Sequence, residues 1–133
     1  GLMELLDWLA ARAVPVAVAT STQQELALEK LALAGLRERF ETIVGGDQVP
    51  RGKPAPDVYR EAIARIGAEP AHCIALEDSE IGLRAAHAAG ATCIVVPDLM
   101  PPSPEFEPLA HAIVPSLREA QALLATMLGS RGG

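Results

Sequence analysis

The chain has 133 residues, 50% of them hydrophobic and 21% charged, which suits one domain with a buried core and excludes disorder. Asp and Glu total 17 against 11 Lys and Arg, a formal charge of −6, and only Trp8, Phe40, Tyr59 and Phe106 are aromatic. No nucleic-acid partner is expected, since basic stripe and stacking platform are both missing; the acidity is compatible with a bound divalent cation.

No uncharged apolar run reaches the ~18 residues of a membrane span. The start, Gly1-Leu2-Met3-Glu4, has no basic segment ahead of an apolar block, so no secretory signal is expected. Cys73 and Cys93 cannot build a disulfide framework and read as reduced core residues in a cytoplasmic setting.

Leu2, Leu5, Leu6 and Leu9 fall at i, i+3, i+4 and i+7, which predicts an amphipathic helix that Pro15 cannot continue. Residues 14–19 form an apolar run of strand type. Thr20, Ser21 and Thr22 offer caps for a helix over 23–34, closed by Gly35. A short strand over 41–44 ends at Gly45-Gly46, and residues 47–56 form a Gly/Pro-punctuated loop. A third helix is predicted over 57–66 with Val58, Ala62, Ile63 and Ile66 inward, stopped by Gly67. Then come a strand over 73–76, a helix over 79–89 stopped by Gly90, and a strand over 92–96. Prolines make 98–108 irregular, 111–114 suits an edge strand, and Ser116 with Glu119 forms a capping box. The last five residues read as frayed.

Strands alternating with helices predict an α/β fold, a parallel sheet with helices on both faces. In such sheets chemistry gathers at the carboxyl ends of the strands. Four segments lie there: 20–22, 45–53, 77–79 and 97–98.

Thr20, Ser21 and Thr22 sit between a strand and a helix start, where hydroxyls and amides suit an anion; capping alone would also account for them. Lys53, in Gly52-Lys53-Pro54-Ala55-Pro56-Asp57, stands on a loop stiffened by two prolines and can deliver a point charge to a phosphate; the alternative is a solvated surface lysine. Glu77 and Asp78 pair two carboxylates at a strand end, as hard-cation ligation requires, while capping by Asp78 or Ser79 remains open beside it. Asp47, in Gly45-Gly46-Asp47, reads as a turn residue by default, with a place near a site as the alternative. His72, His87 and His111 lack metal-ligand spacing and read as surface residues.

In this order the segments resemble the haloacid-dehalogenase superfamily of phosphatases, in its phosphoglycolate-phosphatase and β-phosphoglucomutase branch. Residues 16–22 (Val-Ala-Val-Ala-Thr-Ser-Thr) resemble that family's second motif. Residues 51–57 (Arg-Gly-Lys-Pro-Ala-Pro-Asp) resemble its third, and 74–82 (Ile-Ala-Leu-Glu-Asp-Ser-Glu-Ile-Gly) its fourth. The resemblance implies a Rossmann-like core and a magnesium-dependent phosphatase acting on a small phosphorylated metabolite. It implies that Thr20 and the Ser21 amide bind phosphoryl oxygens, that Lys53 offsets their charge, and that Asp78, with Glu77 directly or through water, binds Mg2+.

The family's first motif, Asp-x-Asp-x-Thr, which supplies the nucleophile and the general acid/base, has no counterpart here. The aspartates are Asp7, Asp47, Asp57, Asp78 and Asp98, none in that context. The chain is therefore expected to be the back portion of a longer enzyme, one HAD-like core without its cap domain, lacking about 80 residues. Its missing central strand would lie between those at 14–19 and 73–76, leaving edges free for the absent segment or for self-association. By itself the chain is expected to be inactive. A sugar phosphomutase or a non-catalytic module of the same fold are the alternative readings, with a response-regulator phosphoacceptor last.

Overall fold

The computed structural model describes residues 1–131. Leu5, Leu6 and Leu9 bury one face of helix α1 (Leu2–Ala11), and Leu2 at the helix start stays 40% exposed. Strand β1 (Ala17–Ala19), helix α2 (Gln24–Leu33) and strand β2 (Thr42–Val44) follow, and Gly35 takes φ +71° after α2, where side chains with a Cβ are strained. Then come α3 (Asp57–Arg65), β3 (Ile74–Glu77), α4 (Glu80–Ala88), β4 (Thr92–Val95), β5 (Ala112–Ile113) and α5 (Leu117–Arg131).

All strand pairings are parallel, but they fall into two sheets: β1 beside β2, and β3, β4, β5 in that order. Registers run Val18 to Ile43 and Leu76 to Ile94. Among the described residues no strand pairs with the second edge of β1 or of β3.

Strand alternation sorts the core into two layers. Val16, Ile74, Leu76 and Ile94 pack with Leu5, Leu9, Ala120 and Leu124, so α1 and α5 cover one face and join the two sheets. On the other face α4 covers Ala75, Cys93 and Val95, while α3 sets Val58 and Ala62 on Ala17, Ala19 and Val44. Tyr59 touches both of these clusters and so bridges the sheets from α3.

Several expectations need correction. Four of the five predicted strands are shortened, most of all 14–19, because Pro15 donates no backbone hydrogen bond, while the strand predicted over 73–76 keeps its length and lies at Ile74–Glu77. Only one arm of the predicted capping box is present, the Glu119 amide donating to Ser116 Oγ at 3.2 Å. The expected fraying does not begin at Gly129, since α5 continues through Arg131; residues 132–133 lie outside the described residues. Cys93 is a core residue, but Cys73 is only half-buried just before the amino end of β3, its thiol 3.3 Å from the Glu69 carbonyl. All three histidines are exposed, as expected. No helix among the described residues is long and apolar enough to cross a membrane.

Candidate active site

β3 ends in two adjacent carboxylates that the strand sends to different environments. Glu77 is 9% exposed, whereas Asp78 is open to solvent. Ser79, not Asp78, caps α4: its Oγ accepts the Gly82 amide at 3.1 Å.

Lys53 reaches Glu77 from the loop between β2 and α3. Its Nζ lies 2.7 Å from Glu77 Oε2, with the two side chains 9% and 7% exposed. The solvated-surface alternative for Lys53 is thereby overturned. The Lys53–Pro54 peptide is cis, and the Ala55 amide donates to the Gly52 carbonyl at 3.0 Å. The Tyr59 hydroxyl donates a hydrogen bond to the same Glu77 Oε2, and the Lys53 ammonium stands 5.1 Å from the Tyr59 ring centroid. Burial first, and then the Glu77 charge and hydrogen bond, hold the Tyr59 phenol far above its ordinary range, so the hydroxyl is a donor. No buried side-chain polar atom among the described residues lacks a partner.

Thr20 and Ser21 stand at the carboxyl end of β1. The Thr20 amide donates to the Val44 carbonyl at 3.0 Å, and Thr20 Oγ1 accepts the Thr22 amide at 3.1 Å. The expected capping of α2 by these hydroxyls does not occur; its N-cap residue is Gln23, and Asp47 Oδ1 takes the Gln24 amide from across the sheet at 2.7 Å. The Gln24 side chain further ties the segment down, donating to the Ile43 carbonyl at 2.9 Å and accepting the Gly45 amide at 2.6 Å. Gly46 is packed so closely that a Cβ there would stand 2.6 Å from the Ser21 carbonyl oxygen. Asp47 and the glycines thus brace the 20–24 segment, so Asp47 does more than form a turn.

The structure therefore joins Lys53 to Glu77, with Asp78 next in the chain. Thr20 and Ser21 end the strand of the neighbouring sheet. Among the described residues no hydrogen bond or ion pair connects them to Lys53, Glu77 or Asp78. A surface groove of about 460 Å3 lies at the opposite, amino ends of β1 and β2, lined by Val14, Val16, Phe40 and Glu41 among others, and contains none of these residues. Sequence reasoning missed Tyr59 and Gln24. The one signal for Tyr59 was its place beside Val58 on the buried side of α3, where a phenol needs a polar partner.

An ammonium with three donors, only one of them on Glu77, has hydrogens left for an anion. The carboxylates supply hard oxygen donors, and magnesium is commonly held through one or two carboxylates, with water and phosphate oxygens completing its shell. Asp78 and Glu77 fit that chemistry. No third His, Cys, Asp or Glu joins them among the described residues.

The profile of the family described as haloacid dehalogenase-like hydrolase matches residues 1–96. A phosphorylated carbohydrates phosphatase of Thermotoga maritima is 34% identical over 124 residues, covering 93% of this chain and 50% of that protein. A bifunctional riboflavin kinase/FMN phosphatase of Arabidopsis thaliana is 40% identical over 100 residues, 74% of this chain and 26% of the relative. The crystal structure of CbbY from Rhodobacter sphaeroides in complex with phosphate superposes with a TM-score of 0.80 at 38% identity, over 90% of this chain and 54% of that one. The chain spans at most about half the length of these relatives.

Proposed function

This chain belongs to the haloacid dehalogenase-like hydrolases, and we propose that it forms the larger part of the active site of a magnesium-dependent phosphomonoesterase acting on a small phosphorylated metabolite in the cytoplasm. The observation that carries the reading is the buried contact of Lys53 with Glu77, made where a strand end meets a loop and beside an exposed Asp78. The relatives named as phosphatases of carbohydrate phosphates and of FMN support the substrate class.

In this reading the Thr20 hydroxyl and the Ser21 amide take phosphoryl oxygens at the end of β1. Lys53 offsets charge on the phosphoryl group, and Asp78, with Glu77, holds the cation. Bound there, magnesium would neutralise phosphoryl oxygens, the charge stabilisation on which phosphoryl transfer depends. Thr20 and Ser21 orient, Lys53 lowers the charge that an attacking carboxylate must approach, and the braced 20–24 segment keeps its donors fixed.

The nucleophile belongs to a further strand. Among the described residues β1 and β3 each keep one unpaired edge, and Val16, just before β1, and Ile74 and Leu76 of β3 pack in the layer under α1 and α5. We assign that slot to a strand from polypeptide outside these 133 residues, carrying the aspartates that the resemblance implies. The 133 residues are then a core without cap or nucleophile, and they do not turn over substrate unaided. Assaying the purified chain with magnesium and a panel of sugar phosphates checks this. No turnover is expected, whereas inorganic phosphate binds in calorimetry and Lys53→Ala weakens that binding at least severalfold. Turnover that Asp78→Asn abolishes would refute the inactivity, and phosphate binding unaffected by Lys53→Ala would remove Lys53 from the site.

A further inference from the structure

The Lys53–Glu77 contact raises a difficulty for any anion site built on Lys53. A lone carboxylate 2.7 Å away, in a setting this buried, neutralises an ammonium and competes with any anionic ligand. The third member of the cluster answers it.

We propose that Tyr59 is a positioning residue for Lys53: its hydroxyl occupies the same carboxylate oxygen, divides the hold of Glu77 between two donors, and so leaves the ammonium available to an anion. The inference rests on the reading of Lys53 given above and adds a residue to it. Four observations carry it. The Tyr59 hydroxyl and Lys53 Nζ converge on one oxygen, Glu77 Oε2, whose lone pairs both are then used. The Glu77 carboxylate is lodged against Gly82, Oε1 nearest, and both Lys53 and Tyr59 meet it at Oε2. The ring of Tyr59 stands 5.1 Å from the ammonium and supplies an attraction that does not consume its N–H donors. Finally, Tyr59 bridges the apolar clusters of the two sheets, which fixes its hydroxyl independently of Lys53.

The test uses the composition of the chain itself. Lys30 and Lys53 are its two lysines and Tyr59 its one tyrosine, so each signal is assigned without ambiguity. Labelling by an amine reagent at fixed pH is followed by mass spectrometry, with exposed Lys30 as internal reference. Tyr59→Phe keeps the ring and removes the hydroxyl. Glu77 then holds Lys53 more tightly, and Lys53 labels more slowly relative to Lys30, by roughly tenfold or more, the scale set by one hydrogen bond to a charged acceptor. In a Glu77→Gln background the same change has no further effect, because Tyr59 acts through Glu77. Labelling that is unchanged or faster in Tyr59→Phe overturns the proposal, since a packing role alone would loosen Lys53. Should the variants fail to fold, the wild-type chain decides. A slowly exchanging tyrosine hydroxyl proton in its NMR spectrum is required, and its absence overturns the proposal. The functional reading fails separately: inorganic phosphate then gives Lys53 no protection from the reagent, whatever Tyr59→Phe does.

Discussion

A Cβ built on Gly82 would collide with the Glu77 carboxylate. The first turn of α4 is therefore shaped around a carboxylate that belongs to the strand before it. Gly82 is the third residue of the helix, and at helical positions Ala is ordinarily better by up to about 1 kcal/mol. Here Gly82→Ala is expected to destabilise the fold by about 1–3 kcal/mol, because the added methyl drives Glu77 from its contacts with Lys53 and Tyr59. Gly129→Ala in α5, with nothing within 4 Å of the added atom, is expected to be neutral or mildly stabilising. Thermal unfolding of the two variants side by side checks the contrast, and equal Tm shifts would contradict it.

Asp47 offers a second test, of how the end of β1 is held. Its Oδ1 accepts the first amide of α2 at 2.7 Å, a capping contact made from a distant part of the chain. Asp47→Ala is expected to cost about 1 kcal/mol, in the ordinary range for a lost helix cap. It should also weaken inorganic phosphate binding, because the segment carrying Thr20 and Ser21 loses one of its ties to β2. Denaturant unfolding and calorimetry measure the two effects. Weaker stability with undiminished phosphate affinity would detach this brace from the proposed site.

These two residues show what the sequence could and could not convey. Helices α1, α3 and α4 were legible because apolar periodicity and capping residues are local, and so was the placing of Lys53, Glu77 and Asp78 near strand ends. The partner of Lys53 was not. A salt bridge between positions 24 residues apart depends on which strand ends meet, and that is a property of the sheet order. Thr20, Ser21 and Thr22 looked like caps for α2 because their residue types favour it, yet the cap arrives from Asp47 through tertiary contact. The split of the sheet was foreseeable only through the family resemblance, since no local pattern reports an unpaired edge.

The two thiols should behave differently despite their common strand setting. Burial first, then the Glu77 charge and against the opposing pull of Lys53, pushes the Cys93 thiol up to about 12, and Cys93 is 1% exposed. Burial also raises Cys73, but its thiol lies half-exposed before the amino end of β3. A thiol-specific reagent at neutral pH is therefore expected to modify Cys73 slowly in the native chain and Cys93 only on unfolding. Counting modified thiols with and without denaturant, in wild type and Cys73→Ser, checks the order. Native modification of Cys93 would mean that the β3–β4 layer opens far more readily than its packing implies.

The free edges of β1 and β3 give the sharpest test of the proposed slot. Val16 and Thr20 direct their backbone groups to the β2 side, as the bonds of the Glu41 amide to Val16 and of the Thr20 amide to Val44 show, so alternation turns Ala17 and Ala19 the other way. In β3 the carbonyls of Cys73 and Glu77 accept from Thr92 and Val96, which leaves the amides of Ile74 and Leu76 on the opposite edge. Native-state hydrogen exchange should accordingly find Val18 and Ala75 protected and Ala17, Ala19, Ile74 and Leu76 fast, because protection follows ladder bonds as well as burial. Adding a peptide that supplies a strand with Asp-x-Asp-x-Thr at its end should slow all four fast amides together, since one inserted strand pairs with both edges. Protection gained at β1 alone would describe edge association with another chain. Only simultaneous protection at both edges corresponds to closure of the two sheets into one.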